Sequence, residues 1–171
     1  AGPVPAVAPR PVQSPLPEVR RGPPARVLRV LPEVRDEAPG GRSVRAAIFH
    51  GPGRPLTVQE VETPPLGPGE VLVRVAACGV CATDLHYLHG TPTFKKPPLI
   101  LGHEVSGRVE RVAGDVASLA RGELVLVPAV LSCGECLNCR RGRDNLCERM
   151  VMPGNHADGG FAEFLKVPAR T

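Results

Sequence analysis

Aromatic side chains are scarce in this chain: it has no tryptophan, one tyrosine and four phenylalanines. Single strands of nucleic acid are held by stacking bases on aromatics, so no nucleic-acid partner is expected. Long apolar runs are missing as well. No stretch approaches the roughly 20 residues of a membrane-spanning helix, and the N-terminus lacks the charged start and apolar run of a secretory signal. A soluble, cytoplasmic protein without a membrane partner is the expectation. Excess charge is small too. The 21 basic and 17 acidic side chains leave a formal charge of +4, and residues 1–43 hold seven Arg against four acids. Three of the four positive charges therefore lie in the first quarter, and the near-neutral remainder offers no footprint for a polyanion.

What is present is aliphatic. A chain of 171 residues has room for one ordinary domain, burying about two thirds of the surface its unfolded form exposes. With so few aromatics that core must be built from Val, Leu and Ala, a balance that leans toward strands.

Residues 1–43 form a Pro/Arg-rich tail with ten prolines, no sustained apolar period, and the pentad LPEVR at both 16–20 and 31–35. Such composition predicts disorder. Read functionally it would be a nucleic-acid arm or a docking tail, yet it has no dense basic block. A third reading is that it is not translated, since the chain lacks an initiator Met and Val44 could be read from an alternative start codon.

From Val44 the pattern changes to short strand-like runs: RAAIFH, LTVQEVE, EVLVRVAA, HEVSGRVERV, ELVLVPAV and GFAEFLKVP, separated by turns such as GPGRP and PPLGPGE. Many short strands with Gly/Pro punctuation predict a small antiparallel barrel. Val71, Val73 and Val75 share one face, as do Val105 and Val109. Only ATDLHYLH, residues 82–89, reads as a helix. The chain ends at Thr171 directly after a strand-like run, which reads as the N-terminal part of something longer.

Four of the six cysteines lie between positions 133 and 147 with the spacing C-x2-C-x2-C-x7-C: Cys133, Cys136, Cys139 and Cys147. Four thiolates this close complete a tetrahedral zinc and leave no open position for substrate. The intervening RRGRDNL is polar and cannot fold by packing, so a metal would substitute for the missing core. Arg140, Arg141 and Arg143 can offset the negative charge of the thiolates. The rivals are an iron–sulfur cluster, whose usual spacing places the fourth cysteine three residues after the third and follows it with Pro, and four incidental cysteines, which this polar stretch could not bury. Metal-ligand spacing also argues for reduced thiols.

A second constellation lies in CGVCATDLH and in LGHEVSG. Cys81 and His103 are suitable zinc ligands, and an incomplete protein shell keeps a position where substrate or water can be polarised. Cys81 precedes the predicted helix, whose N-terminal dipole favours a thiolate. Asp84 could orient a ligand imidazole through its second nitrogen, Thr83 offers a hydroxyl that accepts and donates a proton, and His86 could hand that proton to solvent. Taken singly, each has a plainer explanation as core cysteine, helix cap or surface histidine. Cys78 reads as a small buried residue ending its strand, or as half of a C-x-x-C redox couple with Cys81. His50, His89 and His156 have no partner pattern and read as surface or structural residues.

Together these motifs resemble the zinc-dependent medium-chain alcohol dehydrogenases, from about Val44 to the end of the chain. The family's stretch G-x-C-x-[S/T]-D-x-H matches at Cys81, Thr83, Asp84 and His86, and its G-H-E at Gly102, His103 and Glu104. The resemblance implies a mainly β fold: a GroES-like antiparallel barrel over residues 44–171 with a zinc-binding lobe. It implies Cys81 and His103 as ligands of a catalytic zinc, Thr83 as the alcohol-handling hydroxyl, Asp84 behind the ligands, His86 as relay and Glu104 approaching the metal during ligand exchange. It implies structural zinc at Cys133, Cys136, Cys139 and Cys147, hence two zincs per full-length chain, with NAD or NADP as redox partner. The implied reaction is hydride transfer between an alcohol and its aldehyde or ketone through a zinc-bound alkoxide, zinc acting as it does when it lowers the pKa of bound water to about 7. A homo-oligomer is implied for the full-length protein.

The chain departs from the family in three places. Gly122-Glu123 replaces the family's G-D, a milder turn former. The family's third protein ligand lies beyond the GGFAE strand, and no counterpart precedes Thr171. No G-x-G-x-x-G follows a strand, since GPGRPL at 51–56 has Leu56 where the last glycine belongs, so the dinucleotide-binding domain and its residues are expected beyond this chain. The isolated chain is accordingly expected to be inactive. The competing class is a non-enzymatic zinc-binding module with one structural zinc. Neither the alcohol nor the choice of NAD or NADP is legible.

Overall fold

The computed structural model describes residues 43–170. The expectations made for the tail fall on residues outside this range, apart from Ser43, which is the first residue of a strand rather than the last of the tail. In chain order the elements are β1 (Ser43–Phe49), β2 (Thr57–Glu62), β3 (Glu70–Gly79), α1 (Ala82–Leu88), β4 (Leu99–Ile100), β5 (Glu104–Val112), β6 (Leu124–Val127), α2 (Leu137–Arg140), a single 3₁₀ turn (Asp144–Leu146) and β7 (Phe164–Pro168).

The strands form two antiparallel sheets, one of order β2-β1-β4 and one of order β6-β5-β3-β7. GFAEFLKVP, predicted as one strand, divides: 164–168 pairs with β3, while 161–163 crosses to β1. The Ala47 N–H donates to the Phe161 carbonyl at 2.8 Å, the Glu163 N–H to Arg45 at 3.1 Å, and the Val75 N–H to Glu163 at 2.9 Å. This short segment joins the two sheets into the expected barrel. Glu163 reinforces the seam, its carboxylate accepting the Arg45 backbone N–H and guanidinium, both at 2.9 Å. Those donors, the backbone N–H first, hold its carboxyl below the usual range.

The long strand β3 shows why a single two-residue period is not enough. Val71 and Val73 point into the main core with Val105, Val127, Leu131, Leu165 and Val167, and Val75 packs on its edge. Leu72 points the other way and is wholly buried too, against Val44 and Phe164. The strand is therefore covered on both faces at its start, each buried aliphatic contributing about 1.5–3 kcal/mol by leaving water. Its pairing with β5 skips Glu110 and later Ala76, two bulges that redirect the strand end toward α1.

Helix α1 is too short to hold itself together. It is fixed by Tyr87, which packs with Phe49, Leu99 and Leu101 in a separate apolar cluster.

Candidate functional site

The loop after β3 and the first turn of α1 meet the loop that leads from β4 into β5. The meeting point is Asp84, which is 1 % exposed. Its Oδ2 accepts the Cys81 backbone N–H at 3.0 Å and its Oδ1 accepts the Gly102 N–H at 3.2 Å. One carboxylate thus caps the helix and ties it to the residue before His103. The same Oδ1 lies 3.6 Å from Nδ1 of His103, a buried ring nitrogen with no hydrogen-bond partner.

Gly102 is required here. Its φ of +93° lies in the left-handed region, and a Cβ would press on the Phe161 ring and on the Cys78 sulfur. Residues 159–161 lie along 100–102 backbone to backbone, with three N–H donations of 2.8–2.9 Å, and brace the loop that presents His103.

Within this frame one ligating atom each from Cys81, His103 and Glu104 fall within 4.8 Å of one another. Cys81 is half-buried, His103 buried and Glu104 exposed, so the cluster is open to solvent on one side rather than a closed cage. Thr83 Oγ1 is 3.6 Å from the Cys81 sulfur. His86 is exposed on the outer side of α1. The structure thus brings Cys81, Thr83, Asp84, His103 and Glu104 together and sets His86 toward solvent. Glu104, read from sequence only as approaching the metal, shares the cluster outright. Thiol, imidazole and carboxylate form a donor set that suits zinc and leaves a coordination position open, so the residues fit the catalytic metal that the motifs imply.

Cys78 stands apart from this cluster. It pairs with Val105 across the sheet, its sulfur rests where Gly102 and Gly160 leave room, and burial pushes its thiol up. Cys78 and Cys81 are both free thiols. His50 bonds to Thr57 at 2.7 Å, His89 follows α1 as its cap, and His156 stacks on Phe94.

The second site is the lobe from Leu131 to Val151, whose ends are pinned by a reciprocal pair of backbone hydrogen bonds at 2.7 and 2.9 Å. Cys133, Cys136, Cys139 and Cys147 bring their sulfurs within 4.8 Å of one another. Backbone N–H groups point at them: those of Cys133 and Arg149 at Cys147, and that of Cys136 at Cys133. The N–H groups of Glu135 and Cys136 bring the Cys133 thiol down to about 6, while burial and the neighbouring Cys136 push Cys139 up to about 12. Four sulfurs packed this closely cannot all ionise without a balancing positive charge. A divalent cation would let all four ionise, and the donors close its shell.

The arginine that serves these sulfurs is one that the sequence reading passed over. Arg149 bonds to Cys133, which raises its own pKa, and pairs with Glu135 at 2.9 Å. Arg140, expected to balance the thiolates, instead donates to the Glu135 carbonyl at 2.6 Å. Also unforeseen were Asn155 and Asp158. They accept the backbone N–H groups of Phe94 at 2.8 Å and Ile100 at 3.0 Å and so hold the loop leading to His103. No sequence signal marks them beyond a turn-rich stretch.

The described residues thus form a β barrel with two clusters of potential metal ligands, one open and one closed. Residues 67–171 match the model of the alcohol dehydrogenase GroES-like domain, and the chain belongs to that family. It is 46 % identical over 128 residues to an alcohol dehydrogenase of Geobacillus stearothermophilus, covering 74 % of this chain and 38 % of that protein. Among solved structures it is similar to the cobalt- and zinc-bound thermostable alcohol dehydrogenase of Pyrobaculum aerophilum, with a TM-score of 0.71, 39 % identity, and coverage of 75 % of this chain and 40 % of that one. An alcohol dehydrogenase from Escherichia coli complexed with NADH matches with a TM-score of 0.68 at 37 % identity, over 77 % of this chain and 37 % of that one. The chain therefore spans well under half the length of the relatives it matches. The resemblance read from the motifs is borne out, and so is the mainly β, GroES-like fold.

Proposed function

We propose that residues 44–171 form the catalytic domain of an NAD(P)-dependent zinc alcohol dehydrogenase, which interconverts a small alcohol and its aldehyde or ketone. The observation that carries this reading is the convergence of Cys81 with the adjacent pair His103 and Glu104, from two separate chain segments, on one half-exposed point beside the Thr83 hydroxyl. A purely architectural zinc module would need only the four-cysteine lobe and would have no use for that convergence.

Cys81, His103 and Glu104 would hold the catalytic zinc, which when bound supplies Lewis-acid polarisation of the alcohol oxygen. Asp84 fixes the loop that carries Cys81 and, by facing Nδ1 of His103, leaves Nε2 as the free donor. The Thr83 hydroxyl accepts the alcohol proton and donates its own onward, and His86, being exposed, releases a proton to water. NAD or NADP, when bound, would supply the acceptor for the hydride released from the alcohol carbon. Cys133, Cys136, Cys139 and Cys147 would hold the second, structural zinc. Reduced thiols at both sites suit the cytoplasm, and we propose a homo-oligomer for the whole protein. No described helix is long and apolar enough to cross a membrane.

In the whole protein, Cys81→Ser should abolish alcohol oxidation with either nicotinamide cofactor while leaving the fold intact. Wild-type turnover in a folded Cys81→Ser protein would refute the assignment.

A further inference from the structure

Glu104 is an exposed side chain on the first residue of β5, and nothing in its own rotamer freedom keeps its carboxylate beside Cys81 and His103. Its cross-strand partner is Gly79, the last residue of β3. A Cβ at position 79 would overlap Glu104 Oε2 and lie 3.2 Å from Glu104 Cβ. The carboxylate occupies the space that a side chain at 79 would fill.

Backbone conformation does not explain this glycine, since Gly79 is absent from the positive-φ residues of the described chain. Alanine could adopt the same backbone, and the atom it would displace most is the far end of a flexible side chain.

We propose that Gly79 is a positioning residue: by leaving the β3 end bare it lets the Glu104 carboxylate fold back to the metal-ligand cluster. The inference rests on the reading of Cys81, His103 and Glu104 as metal ligands. It assigns Gly79 no contact with metal or substrate. Its effect passes through Glu104 alone.

The test is a double-mutant cycle on zinc affinity in the whole protein, read by competition with a chromogenic chelator while the four-cysteine site stays loaded. Gly79→Ala should weaken the more labile zinc by about tenfold to a hundredfold, the range found when a residue supporting a ligand is lost. Glu104→Ala should weaken it at least as much, and adding Gly79→Ala to Glu104→Ala should cost nothing more. Glu104→Asp withdraws the carboxylate from the space above residue 79, so Gly79→Ala should also be silent in that background. The Gly79→Ala/Glu104→Asp pair serves if Gly79→Ala alone does not fold.

If Glu104→Ala weakens zinc and Gly79→Ala does not, or if the two losses add in full, the positioning role is overturned and the metal site stands. If neither Glu104→Ala nor Cys81→Ser alters zinc binding, the underlying site reading fails and the role of Gly79 falls with it.

Discussion

Asp84 shows how much can hang on one side chain. Its two oxygens accept backbone N–H groups from Cys81 and Gly102, and one of them faces His103. Asp84→Asn keeps the shape but turns an NH2 toward one of those donors, stranding a buried N–H at a cost of about 1–3 kcal/mol. Urea unfolding should show a loss of that size, and unchanged stability would mean the carboxylate is not holding the two loops. The motif letter D was legible in the sequence, and so was its place behind the ligands. The second bond, to Gly102, was not, because it depends on how two loops 18 residues apart meet. Gly79 is the stronger case. In sequence it is only the first letter of a motif, two residues before Cys81, and its meaning comes from a cross-strand register with Glu104 that spacing does not encode.

Among the elements, the cysteine lobe and the barrel strands draw on different sources of order. The strands are held by burial and could be read from runs of Val and Leu, although the burial of Leu72 opposite Val71 and Val73 defeats a simple alternation. The lobe has almost no core: α2 has four residues, the 3₁₀ turn has three, and Leu137 and Leu146 are exposed. Its cysteine spacing was legible because ligands close in sequence must be close in space. The sequence draws the eye to Arg140, Arg141 and Arg143, whereas the pairing of Arg149 with Cys133 follows only from the fold. Without its four sulfurs joined, the lobe should open between Leu131 and Val151. Cys147→Ser should therefore speed tryptic cleavage after Arg140, Arg141 or Arg143 by about tenfold or more, while the barrel resists. Equal cleavage in wild type and variant would show that packing, not metal, shapes the lobe.

At the scale of the molecule, one barrel carries two donor sets of opposite character, and that pairing is the core of the account. The closed four-thiol set shapes a surface lobe. The open set of Cys81, His103 and Glu104 lies beside the Thr83 hydroxyl, as the proposed chemistry requires. The barrel was legible from short aliphatic strands with glycine and proline turns, but the seam at 161–163 that joins its sheets was hidden inside a run that reads as one strand. The most direct measurement is zinc per chain by elemental analysis, on protein purified in reducing buffer without chelator. The account predicts about two zincs in the wild type and about one in Cys81→Ser. One zinc in both would contradict it and leave a barrel with a structural lobe and no catalytic metal.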